Sequence, residues 1–216
     1  VVSALPFQTD AEVTAAIPRI VDHLAGGGLL AYPTETVYGF GSRTQPDDVQ
    51  ALMELKGRRA GKPFLVLVAN RHMVEAQGLA FTPAADALAR AYWPGPLTLV
   101  LPGGRLPDAL RGPEGGIAVR WTSHGAMARL VAALGEPLTS TSANLPGQPP
   151  APGAVAIVRD FPGPVARGQL LVLDGGVLGN RPPSTVVDCT HPMARVIREG
   201  AITTAELRRA AGGLLA

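Results

Sequence analysis

The chain has 216 residues, 46% of them hydrophobic and only 17% charged, with a net charge of +2. That length suits a single domain over residues 1–216 with a sizeable core, and the charge balance is too small to mark a nucleic-acid binder by itself. A lone cysteine, Cys189, rules out an internal disulfide framework and a cysteine-based zinc site, and the four scattered histidines lack HExxH spacing, so no metal-ligating residues are assigned.

No stretch reaches roughly 18 uninterrupted apolar residues, so no membrane partner is expected. No basic-then-apolar leader is visible at the N-terminus, and a cytoplasmic location is the expectation. The 26 glycines and 21 prolines imply many tight turns.

In chain order, Asp10 can cap a helix running to about Ala25, with Pro18 expected to kink or split it. Leu29–Tyr32 reads as a buried strand closed by Pro33. Three polar side chains follow at once, Thr34, Glu35 and Thr36, where open α/β sheets bind ligands. The alternative is a turn whose threonines satisfy their own backbone. Pro46–Leu55 is a short helix with Asp47 and Asp48 complementing its dipole, stopped by Gly57. A basic loop leads from it into a strand over residues 64–68. That loop superficially resembles a P-loop but is one spacer short, and Pro63 stands where a Ser or Thr should bind magnesium.

Thr82 and Pro83 start the next helix, to about Tyr92, and Trp93-Pro94-Gly95-Pro96 turns a corner into the strand Leu97–Leu101. Residues 103–116 are Gly/Pro-rich and read as a mobile loop. Ile117–Trp121 is a strand carrying Arg120 in apolar company. A buried arginine needs a partner, either an internal carboxylate or an anionic ligand. Ser123 is expected to cap a helix ended by Gly135. A short strand then opens into the hydroxyl run Thr139 to Ser142, with Asn144 just beyond. Residues 151–159 read as helix, and 170–173, 186–188 and Arg195–Arg198 as strands before the terminal helix Thr204–Ala211. Some connections are too short for parallel crossovers, so the expected architecture is α/β: a twisted open mixed sheet, parallel and antiparallel, with helices packed on it.

Both lysines of the chain, Lys56 and Lys62, fall in the basic loop, beside Arg58 and Arg59, while every other basic residue is arginine. Lysine is a compact point charge and arginine a planar fork, so the pattern suits a polyanion site as well as it suits a solvated surface loop.

Taken together, YPTETVYGFG, KGRRAGKPF, WPGPLTLVL, AVRW, TSTSAN, PPSTVVD and VIREG, in that order over residues 29–200, resemble the YrdC-like family. Its members include L-threonylcarbamoyladenylate synthases, and the chain looks like the short single-domain form. The resemblance implies an α/β twisted open sheet and a nucleotidyl transfer. L-threonine and bicarbonate (or CO2) form N-carboxy-threonine, whose carboxylate attacks the α-phosphorus of ATP and expels pyrophosphate. Magnesium is expected with the triphosphate. A partner transferase would pass the threonylcarbamoyl group to tRNA next to the anticodon, and direct tRNA contact is compatible with the reading.

Matching motifs place Lys56 and Arg58, with Ser142 and Asn144, in the catalytic set. Lys56, Arg58 and Lys62, with Ser140 and Arg198, would meet the nucleotide. Thr34, Ser142 and Ser184 would line the L-threonine pocket, and Arg120 would take the threonine carboxylate by a bidentate contact. Replacing Lys56 by alanine is expected to remove turnover and leave the fold intact. The rival reading is a non-catalytic tRNA or double-stranded RNA-binding module, permitted by a pI near 9.0. No aromatic stacking platform supports it.

Overall fold

The structure, a computed structural model, describes residues 4–57, 63–179 and 181–216. The elements run β1 (Leu5–Pro6), α1 (Asp10–Ala25), β2 (Leu29–Tyr32), β3 (Gly39–Gly41), α2 (Pro46–Leu55), β4 (Leu65–Val68), α3 (Arg71–Ala76) and α4 (Pro83–Tyr92). Then come β5 (Leu97–Leu101), β6 (Ile117–Trp121), α5 (Gly125–Leu134), β7 (Leu138–Ser142), α6 (Ala154–Asp160), α7 (Pro162–Ala166), β8 (Leu170–Asp174), β9 (Thr185–Asp188), β10 (Arg195–Arg198) and α8 (Thr204–Ala211).

The strands form one sheet in the order β1-β8-β2-β3-β7-β4-β6-β5-β9-β10. Pairs β1/β8, β2/β8, β4/β6 and β5/β9 are parallel, and the other neighbours are antiparallel. The mixed sheet expected from the short connections is therefore what forms. The antiparallel β2/β3 pair also brings the Thr34–Val37 turn to the middle of the sheet.

Strand parity separates the core from the site. Leu97, Leu99 and Leu101 of β5 and Ile117 and Val119 of β6 are fully buried, as is Val187 of β9. The alternate positions, Thr98 and Val100, Ala118 and Arg120, and Val186 and Asp188, face a cavity on the other side. A period of two puts successive side chains on opposite faces, so one strand serves both the apolar core and a polar floor.

Gly41 shows how tightly β2, β3 and β7 approach. A Cβ there would lie 2.2 Å from the Thr139 carbonyl oxygen and 2.9 Å from the Tyr32 ring. Only glycine fits so close a backbone approach.

Several sequence-based boundaries shift for identifiable reasons. Helix α1 is capped by Thr9, not Asp10. Thr9 Oγ1 accepts from Glu12 N while Glu12 Oε2 accepts from Thr9 N, a reciprocal box that needs the Thr-x-x-Glu spacing. Pro18 does not split the helix, because the stripe Val13, Ala16, Ile20 and Leu24 packs into the core on both sides of it.

Helix α5 is capped by His124, whose Nδ1 accepts from Met127 N, rather than by Ser123. The Ser123 N–H instead donates to Glu35. Residues 103–116 are anchored, not a mobile loop. Leu106 and Leu110 are buried, and Arg111 donates to the carbonyls of Gly103, Gly104, Leu106 and Gly115. Helix α6 begins at Ala154, after the prolines of 149–152. Cys189 lies buried just after β9. Among the described residues no helix is long and apolar enough to cross a membrane.

Candidate functional site

A cavity of about 530 Å³ lies on the polar face of the central sheet. Its floor follows strand register. Ser140 of β7 pairs with Leu65 of β4, Val100 of β5 with Ala118 of β6 and Asp188 of β9, and Thr98 with Val186. Gly39, opposite Ser142, has no side chain to cover that hydroxyl. The turn after β2 forms one wall with Thr34, Thr36 and Val37. The Gly112–Gly116 hairpin and β10 form the opposite wall.

The cavity brings together Thr34, Arg120, Ser140, Ser142, Ser184 and Arg198 from five separate stretches. Lys56 and Asn144 join it through Ser142. Lys56 Nζ donates to Ser142 O (2.9 Å), Asn144 O (2.7 Å) and Asn144 Oδ1 (2.9 Å), and Ser142 Oγ donates to Asn144 Oδ1 (2.5 Å). The Lys56 ammonium also sits 5.7 Å from the centroid of the Phe40 ring. Lys56 is only 9% exposed, so it is a strut of the site and not a surface side chain, and the expectation that its loss would leave the fold untouched is corrected. Arg58, Arg59 and Lys62 lie outside the described residues.

Arg120 is 6% exposed and lies 2.8 Å from Glu35, itself 13% exposed. Its Nε donates to Gly95 O, and Nη1 and Nη2 both reach Thr36 Oγ1. An arginine has five N–H groups. With Nε and both Nη2 protons committed, Nη1 is the edge that keeps a proton to offer. The free bidentate fork expected at Arg120 is therefore absent: its partner is an internal carboxylate, and what it offers the cavity is a single hydrogen bond.

Glu35 is held on every side. Oε2 accepts from Thr122 Oγ1 (2.5 Å) and Oε1 from Ser123 N (3.0 Å). Burial pushes the Glu35 carboxyl up, but the Arg120 charge and these donors outweigh it and bring it to about 2.

Hydrogen-bond accounting also redefines Thr34. Its hydroxyl donates to Val37 O (2.7 Å), so the 3.0 Å contact with Thr36 Oγ1 must run from Thr36 to Thr34. Its lone pairs meanwhile receive the N–H groups of Thr36 and Val37. Thr34 shapes the wall while its proton stays within the turn. Thr36, which sequence reasoning left unassigned, is the threonine that touches Arg120.

At the other end Ser184 Oγ lies 2.9 Å from Thr98 Oγ1, and Ser184 O accepts from Arg198 Nη2 (2.8 Å). The cavity's other cations have carboxylates: Arg120 has Glu35, and Arg195 has Glu114 and Asp188. No described carboxylate pairs with Arg198. Burial of part of its guanidinium, and then the charge of Arg120, push its pKa down. Thr98, Asp188 and Arg195 were missed as site residues, while Glu35 and Thr36 were flagged only as part of the polar turn and given no role of their own. The signal for Thr98 was a polar residue alternating with leucines in an apolar strand; for Glu35 it was a carboxylate in the same turn as the two threonines.

A family model named for Sua5, YciO and YrdC and described as "Telomere recombination" matches residues 22–200. The chain belongs to the Sua5/YciO/YrdC family. Among relatives in this family, a threonylcarbamoyl-AMP synthase of Pyrococcus abyssi is 33% identical over 188 residues, covering 86% of this chain and 54% of that protein. A threonylcarbamoyl-AMP synthase of Thiobacillus denitrificans is 39% identical over 177 residues, covering 80% and 90%. The chain thus spans about half of the first relative and nearly all of the second. The solved structure of P. abyssi Sua5 complexed with L-threonine matches at TM-score 0.85 and 30% identity, over 98% of this chain and 61% of that one. The Sua5/YciO/YrdC sheet is the mixed open sheet described above.

Proposed function

We propose that this chain is an L-threonylcarbamoyladenylate synthase, a nucleotidyltransferase that makes threonylcarbamoyl-AMP and pyrophosphate from L-threonine, bicarbonate or CO2, and ATP. The observation that carries the reading is Arg198: a cation in a hydroxyl-lined cavity where the neighbouring arginines have carboxylates and it has none among the described residues. Such a site favours an anionic ligand. The named relatives and the L-threonine complex of a family member support the choice of ligands.

In this reading the threonine amine and bicarbonate give N-carboxy-threonine and water. One carbamate oxygen then forms a bond to the α-phosphorus as the bond from phosphorus to the bridging oxygen breaks, and pyrophosphate leaves with that electron pair. An anion attacks a polyanion, so positioning and fixed positive charge are the main catalytic terms. Lys56, Arg58 and Lys62 supply that charge, with Arg198 and Ser140 on the nucleotide. Ser142 and Asn144 orient the carbamate and α-phosphate from a loop that Lys56 holds rigid. Ser184, Ser142 and the wall formed by Thr34 bound the threonine, with Arg120 Nη1 on its carboxylate.

Among the described residues no three His, Cys, Asp or Glu side chains cluster to hold a metal, and the cavity's carboxylates are tied to arginines. Magnesium therefore fits as part of the MgATP substrate, carried by phosphates and water. The product serves a transferase that modifies tRNA beside the anticodon, in the cytoplasm.

The test is to incubate the protein with ATP, magnesium, bicarbonate and L-threonine plus inorganic pyrophosphatase. Phosphate release and the adenylate are followed together, the latter by mass spectrometry. The expected result is a threonylcarbamoyl-AMP mass that needs both threonine and bicarbonate. Its absence, with tRNA shifted in a gel, would favour the RNA-binding alternative.

A further inference from the structure

We infer that Glu35 is a positioning residue for substrate binding: it fixes the Arg120 guanidinium so that Nη1 alone meets the carboxylate of the amino-acid substrate. The inference rests on the proposed synthase reading and goes beyond it, since nothing in that reaction requires a carboxylate in this turn.

Three features of the structure carry it. The Glu35–Arg120 pair is nearly buried, at 13% and 6% exposure; Arg120 lines the cavity, and Glu35 holds it from behind the lining, between the wall residues Thr34 and Thr36. Both Glu35 oxygens are occupied by fixed partners, Thr122 Oγ1 on one and Ser123 N with Arg120 on the other, so the carboxylate cannot rotate to follow a moving arginine. And the donors left to Arg120 are set by that pairing, because Nη2 is shared between Glu35 and Thr36 while Nε reaches Gly95 O.

An arginine on so short a chain of partners is preorganised, which lowers the ordering cost of ligand binding. Its charge is also largely offset. The substrate carboxylate is then read by a directed hydrogen bond and released readily, where a bare buried guanidinium would hold any anion of any shape. Glu35 is anchored further through its backbone, where Glu35 O accepts from Arg181 Nη1 (3.3 Å), and so the connection from β8 to β9 meets the turn at this residue.

The experiment compares L-threonine with L-threoninamide, which has the same side chain and amine but no carboxylate. Calorimetry measures both, and MgATP, on the full chain and on Glu35→Gln, which keeps size and removes charge. Wild-type protein that fails to bind L-threonine would overturn the synthase reading, and this inference with it. If the wild type binds, Glu35→Gln is expected to weaken L-threonine about tenfold, the scale of a lost charge-assisted hydrogen bond, with MgATP affinity unchanged. Its preference for L-threonine over L-threoninamide should shrink by the same factor.

A variant that only loosened the fold would weaken all three ligands and keep the preference. Thr122→Val, which removes one of the groups orienting Glu35, should move the preference in the same direction by less. In an Arg120→Met background Glu35→Gln should have no further effect on the preference. Unchanged or tighter L-threonine binding by Glu35→Gln, or a preference that survives it, would overturn the inference while leaving the synthase reading standing.

Discussion

Lys56 and Glu35 show why single residues in this site carry both stability and function. Lys56 reaches three oxygens of the Ser142–Asn144 segment from the end of α2. Lys56→Ala should therefore abolish adenylate formation and also lower unfolding free energy by about 1–3 kcal/mol, since buried acceptors lose their donor. Urea denaturation alongside the product assay checks both, and an inactive variant of wild-type stability would make Lys56 purely a charge. Glu35 has its carboxyl depressed from an ordinary 4.5 to about 2. A depressed acid contributes stability that is fully present above 4.5 and is lost as pH falls towards 2, here about 3 kcal/mol. The stability gap between wild type and Glu35→Gln should accordingly be wide at pH 7 and should narrow across that window. A gap independent of pH would mean that the carboxylate's charge is not what Arg120 responds to.

Elements, more than residues, decided what could be read in advance. The strands were legible because β2 and β5 are short apolar runs between prolines and glycines, and α2 and α4 because the acidic first turn of the one and the Thr82 cap of the other sit where expected. Reciprocal contacts were not legible. Nothing in the local sequence says that Glu35 takes the Ser123 N–H and so moves the start of α5 to His124, since the partners are 88 residues apart. The same holds for residues 103–116, where glycines suggest mobility and Arg111 ties four of the loop's own carbonyls together. Of the site, the hydroxyl run, which forms β7 itself and does not follow it, and the polar turn after β2 announced themselves, whereas Thr98 and Asp188 became site residues only through strand parity. The Arg111 clip has a testable consequence, because the Gly112–Gly116 hairpin it holds lines the cavity beside Arg195 and Ile197. Arg111→Ala should open residues 103–116 to limited proteolysis and weaken MgATP several-fold, on the order of 1 kcal/mol, while L-threonine affinity holds. Proteolysis unchanged from wild type would assign the loop's order to Leu106 and Leu110 instead.

At the scale of the whole molecule the cavity spans seven adjacent strands, from β3 to β10, with the turn after β2 closing one side. Hydrogen bonding along one sheet joins its ends, and an occupant of the cavity would bridge the walls directly. A ligand that touches the Thr34–Val37 turn at one side and Arg198 at the other should therefore stabilise the native state as a unit. At a concentration about 100-fold above its dissociation constant, a ligand adds about 2.7 kcal/mol. For a chain of this size that raises the melting temperature by roughly 5–10 °C. Differential scanning fluorimetry should show such a shift with MgATP, and a further one when L-threonine is added. Arg198 is exposed and bonds mainly to the Ser184 carbonyl, so Arg198→Ala should melt near wild type when empty. It should lose most of the MgATP shift, because the removed group is the cavity cation that has no described carboxylate. A full MgATP shift in Arg198→Ala would take the nucleotide away from β10 and leave the basic loop after α2 as its anchor.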